Sequence, residues 1–468
     1  MGQRLVVKFG GTSVGSASAI SQAADIVCAL RGDGHQVAVV ISAMSGVTDA
    51  LLHGATAAVA RHRDAVRDIA ATIEARHETA TTELSLPDDE RRAVVAAIRS
   101  RLDEFVLLCD ALAVLGEASP RALDAVSSLG ERMSIHLLAA AVRARGHAAS
   151  PIDASTVIRT DTSFQAAVPA MDVTAQQVET VLLPLLQAGA VPVITGFIGG
   201  TADGVVTTLG RGGSDYSGAI IGAALGADEV WIYTDVDGVM TADPRVVRGV
   251  RTLDALSYRE MSELAYFGAK VLHPKTVLPA LERGIPIRIR NTFNPSHPGT
   301  LVVGRQDDDD RQLKGVTAIR AQSLVTIEGR GMLGVPGIAA RAFGSVARTG
   351  TSVSMISQAS SEQSICFLVS AQASATVVDA LSREFHQQVD RHDIERIWSL
   401  DNVVIVTVVG GAIRQTPGIA GRVFGALGTA GINVIAIAMG SSECSISLVV
   451  DAVDADRAVQ SLHELIVE

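Results

Sequence analysis

The chain of 468 residues contains only four cysteines, Cys28, Cys109, Cys366 and Cys444, scattered without a CxxC pair. That spacing reads as small buried apolar residues in a reducing compartment, not as a disulfide framework. No run of about 18 apolar residues occurs, so no transmembrane helix is expected. The N-terminus, GQRLVVKFGG, lacks the long apolar stretch of a signal peptide. An excess of basic charge is missing as well: 39 basic against 50 acidic side chains leave a net charge of −11. This disfavours a general nucleic-acid or membrane-surface role but leaves room for a local basic pocket that binds phosphates. The sequence has no H-E-x-x-H, no Ser-His-Asp signature and no G-x-x-x-x-G-K-[ST] loop. Together these features predict a folded cytoplasmic protein of two or three domains.

Short apolar runs alternate with helical patterns from residue 4 to about 304. The runs at 5–9, 36–43, 191–197, 228–235 and 286–290 read as buried strands. Ile20, Ala23, Ala24, Val27 and Leu30 follow helical spacing between the first two, and Gly32 and Gly34 end that helix. The alternation implies an α/β fold with a mostly parallel sheet covered on both faces. Residues 55–115, rich in Ala, Arg, Glu and Asp, read as a helical insertion that forms a solvated bundle without chemistry of its own. The acidic tract at 306–311 reads as a solvated linker and not a metal site, since four adjacent carboxylates cannot all face one ion.

Beyond the tract lies an internal repeat. Residues 336–367 align without gaps to 417–448 at a constant offset of 81, matching Pro336 to Pro417, Arg341 to Arg422, Gly350 to Gly431 and Glu362 to Glu443. Each copy reads as a strand, a helix with proline near its first turn, a glycine-ended turn and two strands, followed by a helix at 374–385 or 454–464. An unmatched strand run at 315–320 and another at 394–398 suggest that the copies exchange or share strands.

Chemistry concentrates at the ends of strand runs. Lys8-Phe9-Gly10-Gly11-Thr12-Ser13 joins the first strand to a helix, so backbone amides and a helix N-terminus can approach phosphate oxygens beside a lysine. A second such loop, Leu209-Gly210-Arg211-Gly212-Gly213-Ser214-Asp215, precedes an Ala/Gly-rich helix at about 216–226. In open α/β sheets that edge is where ligands bind. Thr234-Asp235-Val236-Asp237-Gly238 and Asp243-Pro244-Arg245 mix turn residues with charges. A further lysine, Lys270, falls near a helix junction, and His273 before proline reads as a local structural residue. Phosphoryl transfer without covalent catalysis needs mainly positioned cations and donors, which these loops supply.

The motifs KFGGTSVG at 8–15, ISAMSGVTD at 41–49, LGERMS at 129–134, GFIG at 196–199, TTLGRGGSDYS at 207–217, TDVDGVMTADPR at 234–245 and GAKVLHPKT at 268–276 resemble, in order, those of aspartate kinases in the amino-acid kinase family. The repeated copies resemble ACT regulatory modules, so the resemblance covers nearly the whole chain. It implies a three-layer amino-acid kinase fold at 1–305 followed by two α+β ACT-type modules at 315–398 and 399–468. It also implies an enzyme that uses ATP and Mg²⁺ to phosphorylate the β-carboxylate of L-aspartate, the entry to lysine, threonine and methionine synthesis. Carried over by position, Lys8 and Asp215 would be catalytic, and Gly10, Gly11, Gly212, Gly213 and Ser214 would hold phosphate. Ser42, Thr48, Glu131, Phe197 and Arg211 would line the aspartate pocket. Lys8, Thr234, Asp235, Met240, Arg245 and Lys270 would hold ATP, although Met240 stands where these kinases often have tyrosine.

ISQASSE at 356–362 resembles the threonine-responsive modules of aspartate kinases linked to homoserine dehydrogenase. An amino-acid effector, threonine ahead of lysine, would meet Gln358, Met332, Gly337, Ile338 and Ala339. Met439, at the position equivalent to Gln358 in the second copy, cannot offer the same hydrogen bonds. No attached dehydrogenase domain is expected, and ACT pairing implies a homodimer or larger assembly. Two alternatives stay open: another amino-acid kinase, such as a glutamate or acetylglutamate kinase, and a catalytically silent amino-acid sensor. Glu131 and the paired modules speak against the first, and Lys8, Arg211 and Asp215 against the second.

Overall fold

The computed structural model describes every residue except 1, 269–271, 273–275, 277, 305–312, 359–362, 412, 414, 440–443 and 468. Lys270, His273, Glu362, Glu443 and the acidic tract at 306–311 therefore lie outside the described residues.

The chain divides into two compact units. The first comprises Met1–Val239, Thr252–Ser262 and Lys270–Gln306. Its strands are β1 (Arg4–Phe9), β2 (Gln36–Ile41), β3 (Ala149–Ile152), β4 (Val191–Thr195), β5 (Ile198–Gly200), β6 (Val206–Thr208), β7 (Glu229–Thr234), β8 (Ala255–Ser257), β9 (Ile287–Asn291) and β10 (Thr300–Val303). Eight of them form one sheet in the order β3-β4-β2-β1-β7-β9-β10-β8, parallel except where β10 meets β9. The short pair β5 and β6 stands apart as an antiparallel hairpin.

Both faces of that sheet are covered, which explains why its strands read as unbroken apolar runs. Leu5, Val7 and Phe9 of β1 join a core with α1 (Ala17–Gly32), and with Leu137, Leu138 and Ala141 of α6 (Leu129–Arg143). The insertion forms α2 (Val47–Val59), α3 (Arg63–Glu83) and α4 (Asp88–Leu115), followed by α5 (Pro120–Ser127). It is not the solvated bundle that its composition suggests. Ala58, Ile73, Ala80, Val94, Ile98 and Phe105 are buried and continuous with the sheet's own core. The charged residues occupy the outer faces of long amphipathic helices, and composition alone hides that periodicity.

On the opposite face lie α7 (Met171–Gln187) and α8 (Gly213–Leu225). Side chains alternate along a strand, so Lys8 points away from the Phe9 core and toward α8, where its stem packs against Gly218. The helices α9 (Tyr258–Tyr266) and α10 (Leu278–Arg283) complete this part of the chain.

The second unit comprises Asp307–Glu468 together with two stretches from earlier in the chain, Met240–Arg251 and Glu263–Ala269. Its elements are β11 (Gly315–Glu328), α11 (Ile338–Arg348), β12 (Met355–Gln358), β13 (Ser364–Ser370), α12 (Ser374–Glu384), α13 (His386–Asp390), β14 (Arg396–Val409), α14 (Ile419–Thr429), β15 (Ala436–Ala438), β16 (Ser445–Asp451) and α15 (Ala455–Val467). The strands make one antiparallel sheet in the order β12-β13-β11-β14-β16-β15. The run at 315–320 is the start of β11 and pairs with the end of β14, while the run at 394–398 is the start of β14 and pairs with the end of β11. The two long central strands thus serve both copies. Pro336 does not open α11: the helix is capped by Gly337, in left-handed backbone, with the proline one residue earlier. Gly418 caps α14 in the same way.

The stretch Met240–Arg251 is part of this unit's interior. Ala242 and Val247 are buried in a cluster with Val406, Ile419, Val423, Leu448 and Leu462. The Thr241 hydroxyl lies 2.8 Å from Nε2 of His463 on α15, and the Val316 amide donates to the Thr241 carbonyl. Among the described residues no helix is long and apolar enough to cross a membrane.

Candidate active site

At the C-terminal ends of β1, β2, β4 and β7 a cavity of about 760 Å³ opens in the first unit. It brings together Lys8, Gly10, Gly11, Ser42, Thr48, Glu131, Phe197, Arg211, Gly212, Gly213, Ser214, Asp215, Thr234 and Asp235, residues from six separate motifs. Met240 and Arg245 belong to the second unit, where the exposed Arg245 is paired with Asp243 at 2.6 Å.

One wall is built for anions. Lys8, only 7% exposed, forms an ion pair with Asp215 in the first turn of α8. The helix is capped by Gly212 in left-handed backbone, so its first amides and positive dipole end face the lysine. Gly213 has to be glycine for a packing reason: a Cβ there would meet the Phe197 ring at 2.7 Å. Phe197 itself is left-handed at φ 68°, held by a 2.9 Å hydrogen bond from its amide to Ser217 Oγ. Such backbone persists in a non-glycine residue only where its surroundings fix it.

The other wall mixes charges of opposite sign. Glu131, 3% exposed, lies in the first turn of α6. Burial pushes it up to about 8, against two backbone amides, those of Ala43 and of Glu131 itself, that favour the carboxylate. Its Oε2 has no hydrogen-bond partner among the described residues. Arg211 is exposed, and among those residues no carboxylate pairs with it. An unpartnered buried carboxyl and an unpaired guanidinium in one cavity suit a zwitterion.

The cavity also holds residues outside the sequence expectations, among them Asp49, Asp124, Ser127, Gln165 and Thr208. Asp49 and Thr208 fall within recognised motifs. Asp124 and Gln165 carry no local signal, because they reach the cavity through tertiary contacts alone. Arg76 of α3, in the insertion, donates to the carbonyls of Ser45 and Gly15, one in each of two loops beside the cavity.

A model of the amino acid kinase family matches residues 3–291. The chain belongs to the amino acid kinase family. ACT domain models match residues 325–385 and 406–465 of this family member. It is 37% identical over 464 residues to the bifunctional aspartokinase/homoserine dehydrogenase 1 of Arabidopsis thaliana, covering 98% of this chain and 50% of that one. The chain spans about half the length of such bifunctional relatives. It is also 34% identical to the lysine-sensitive aspartokinase 3 of Escherichia coli, with both chains covered in full. Among solved structures, that of E. coli aspartokinase III with aspartate and ADP is similar at a TM-score of 0.79 and 32% identity, with both chains covered in full. The chain has the mostly parallel sheet of this family followed by antiparallel ACT domains.

In the second unit, Met332, Gly337, Ile338, Ala339 and Gln358 line a separate cavity of about 260 Å³. It lies at the N-terminus of α11, and none of its described lining residues is acidic. Met439, the equivalent of Gln358 in the repeat, is 52% exposed.

Proposed function

We propose that this chain transfers the γ-phosphoryl group of ATP to the β-carboxylate of L-aspartate, giving 4-phospho-L-aspartate and ADP. One observation carries the reading: Glu131 and Arg211 share a cavity with the Lys8–Asp215 pair and both glycine loops. Arg211 clamps the α-carboxylate and Glu131 takes the α-ammonium, which leaves the β-carboxylate directed at the phosphoryl group. A carboxylate nucleophile carries no proton, so no general base is needed. Lys8 and the amides at the start of α8 stabilise charge on the transferring group, and Asp215 holds Lys8 in place. Ser42, Thr48 and Phe197 shape the aspartate pocket, while Thr234 and Asp235 receive the nucleotide. Mg²⁺ would enter with the ATP phosphates and would neutralise phosphate charge, with Asp235 among the lining carboxylates. Among the described residues no three His, Cys, Asp or Glu side chains are grouped to hold a metal.

The reading includes a cytoplasmic enzyme at the first step toward lysine, threonine and methionine, inhibited by an amino acid in the Gln358 cavity. Threonine is favoured over lysine because no described lining side chain is acidic, leaving a second ammonium unpaired. Exposed Ile356, Ile437 and Met439 at or beside the edge strands β12 and β15 support assembly into a homodimer or larger oligomer through the ACT modules.

The test is ATP- and Mg²⁺-dependent acyl-phosphate formation, trapped with hydroxylamine, with aspartate or glutamate and with threonine or lysine added. Hydroxamate from aspartate alone, suppressed by threonine, is the expected outcome. Turnover with glutamate and not aspartate would overturn the substrate, and insensitivity to threonine would overturn the effector.

A further inference from the structure

The carboxylate of Asp124 is 1% exposed, yet Asp124 lines the cavity from α5. Its Oδ2 accepts the amides of Gln165 at 3.0 Å and Thr208 at 2.9 Å, and its Oδ1 accepts the Thr208 hydroxyl at 2.8 Å. Both acceptors are thereby engaged by segments far apart in sequence: the loop at 161–168 and the end of β6.

These segments lead directly to Arg211. Gln165 is held in left-handed backbone at φ 69°, unusual for a side chain of its kind. Its carbonyl lies so close to Gly210, also left-handed at φ 79°, that a Cβ there would meet it at 2.9 Å. The loop is further tied to β6 by the Ala167 amide donating to the Thr208 carbonyl and by the Thr160–Thr207 hydroxyl pair at 2.7 Å. Its own turn is closed by Asp161, which accepts the amides of Ser163 and Val168. The Leu209 amide donates to the Phe197 carbonyl, and the Gly213 amide to the Gly210 carbonyl. Arg211 itself is exposed and has no carboxylate partner among the described residues. Its direction is therefore set by the backbone on which it stands.

We propose that Asp124 is a positioning residue: it locks Gln165 against Gly210 and Thr208 against α5, and so aims the Arg211 guanidinium at the substrate's carboxylate. The inference rests on the substrate reading proposed above. An arginine that clamps a non-reacting carboxylate binds ground state and transition state alike, so its misplacement raises KM and leaves kcat nearly unchanged.

The test compares Asp124→Ala, Asp124→Asn and Thr208→Val by steady-state kinetics and by amide hydrogen exchange in the full chain. Alanine removes both acceptors. Asparagine retains the arrangement, since its amide oxygen can take both backbone N–H groups while its NH₂ donates to the Thr208 hydroxyl oxygen. Asp124→Ala is expected to raise KM for aspartate about tenfold, with KM for ATP within about twofold. Asp124→Asn should stay near the wild type, and Thr208→Val, which remains informative if the alanine variant does not fold, should fall between. The amides of Gln165 and Thr208 should exchange faster in Asp124→Ala. An unchanged aspartate KM, an equal rise in both KM values, or an asparagine variant as damaged as alanine would overturn the positioning role. A wild type that ignores aspartate sinks the proposed reaction instead, and unaltered exchange at Gln165 and Thr208 then overturns the positioning role independently.

Discussion

Glu131 holds a carboxyl that burial pushes up to about 8, with one oxygen left without a partner. In the free protein at pH 7 this group is mostly protonated, and a neutral carboxyl attracts an ammonium poorly. If Glu131 receives the α-ammonium of aspartate, kcat/KM for aspartate should rise about tenfold per pH unit below 8 and level off above it. Glu131→Gln should flatten that limb. A wild-type profile flat between pH 6.5 and 8.5 would remove Glu131 from the substrate pocket. Stability runs the opposite way. The folded state holds the proton up to about 8 and the unfolded state only to the ordinary carboxylate range, so the free protein loses stability as pH rises across that window. Arg211 presents the opposite situation, a cation whose usefulness depends on direction.

At the scale of elements, the insertion does more than cover the sheet. Arg76 of α3 spans two loops with one guanidinium fork, donating to the carbonyls of Gly15 and Ser45. Each loop leaves the end of a sheet strand, so the fork ties the two together beside the cavity. Arg76→Ala should lower kcat/KM for ATP and for aspartate together, about three- to tenfold, with little change in melting temperature. Steady-state kinetics on that variant checks this, and wild-type values would reduce α3 to a packing element. The two strand-to-helix glycine loops are legible in the sequence because adjacent residues do the work there, Lys8 with Gly10 and Gly11, and Gly212 with Gly213 and Asp215. The five buried strand runs of the first unit are legible for a similar reason, since burial on both faces demands unbroken apolar stretches. Arg76, Asp124 and Gln165 are not legible. Each acts on a segment tens of residues away, and nothing in its own neighbourhood marks it. The charged surface of α3 and α4 likewise masks buried positions such as Ile73 and Phe105 until the helical period is applied.

At the scale of the whole molecule, the two units do not divide the chain at a single point. The stretch Met240–Arg251, immediately after the Thr234–Val239 turn, contributes Ala242 and Val247 to the apolar interior of the second ACT domain. Glu263 accepts a hydrogen bond from Ser445, and Phe267 packs beside Leu324 and Ile405. A chain ending at residue 305 would keep these side chains and lose their partners. It should melt several degrees below the full chain and bind a hydrophobic dye that the full chain does not, by about 1 kcal/mol for each exposed aliphatic side chain. Equal melting temperatures and equal dye binding for the two chains would show that the early stretches do not depend on the ACT core.

That threading bears on how such enzymes diversify. A recombination event that exchanges everything after residue 305 delivers an ACT pair whose interior was shaped around another protein's residues 240–251. The incoming core would have to accommodate Ala242, Val247 and the Thr241 hydroxyl of its host. With the 260 Å³ cavity as the effector site proposed above, responsiveness to a new metabolite would be reached more readily by replacing individual side chains around it than by trading whole tails.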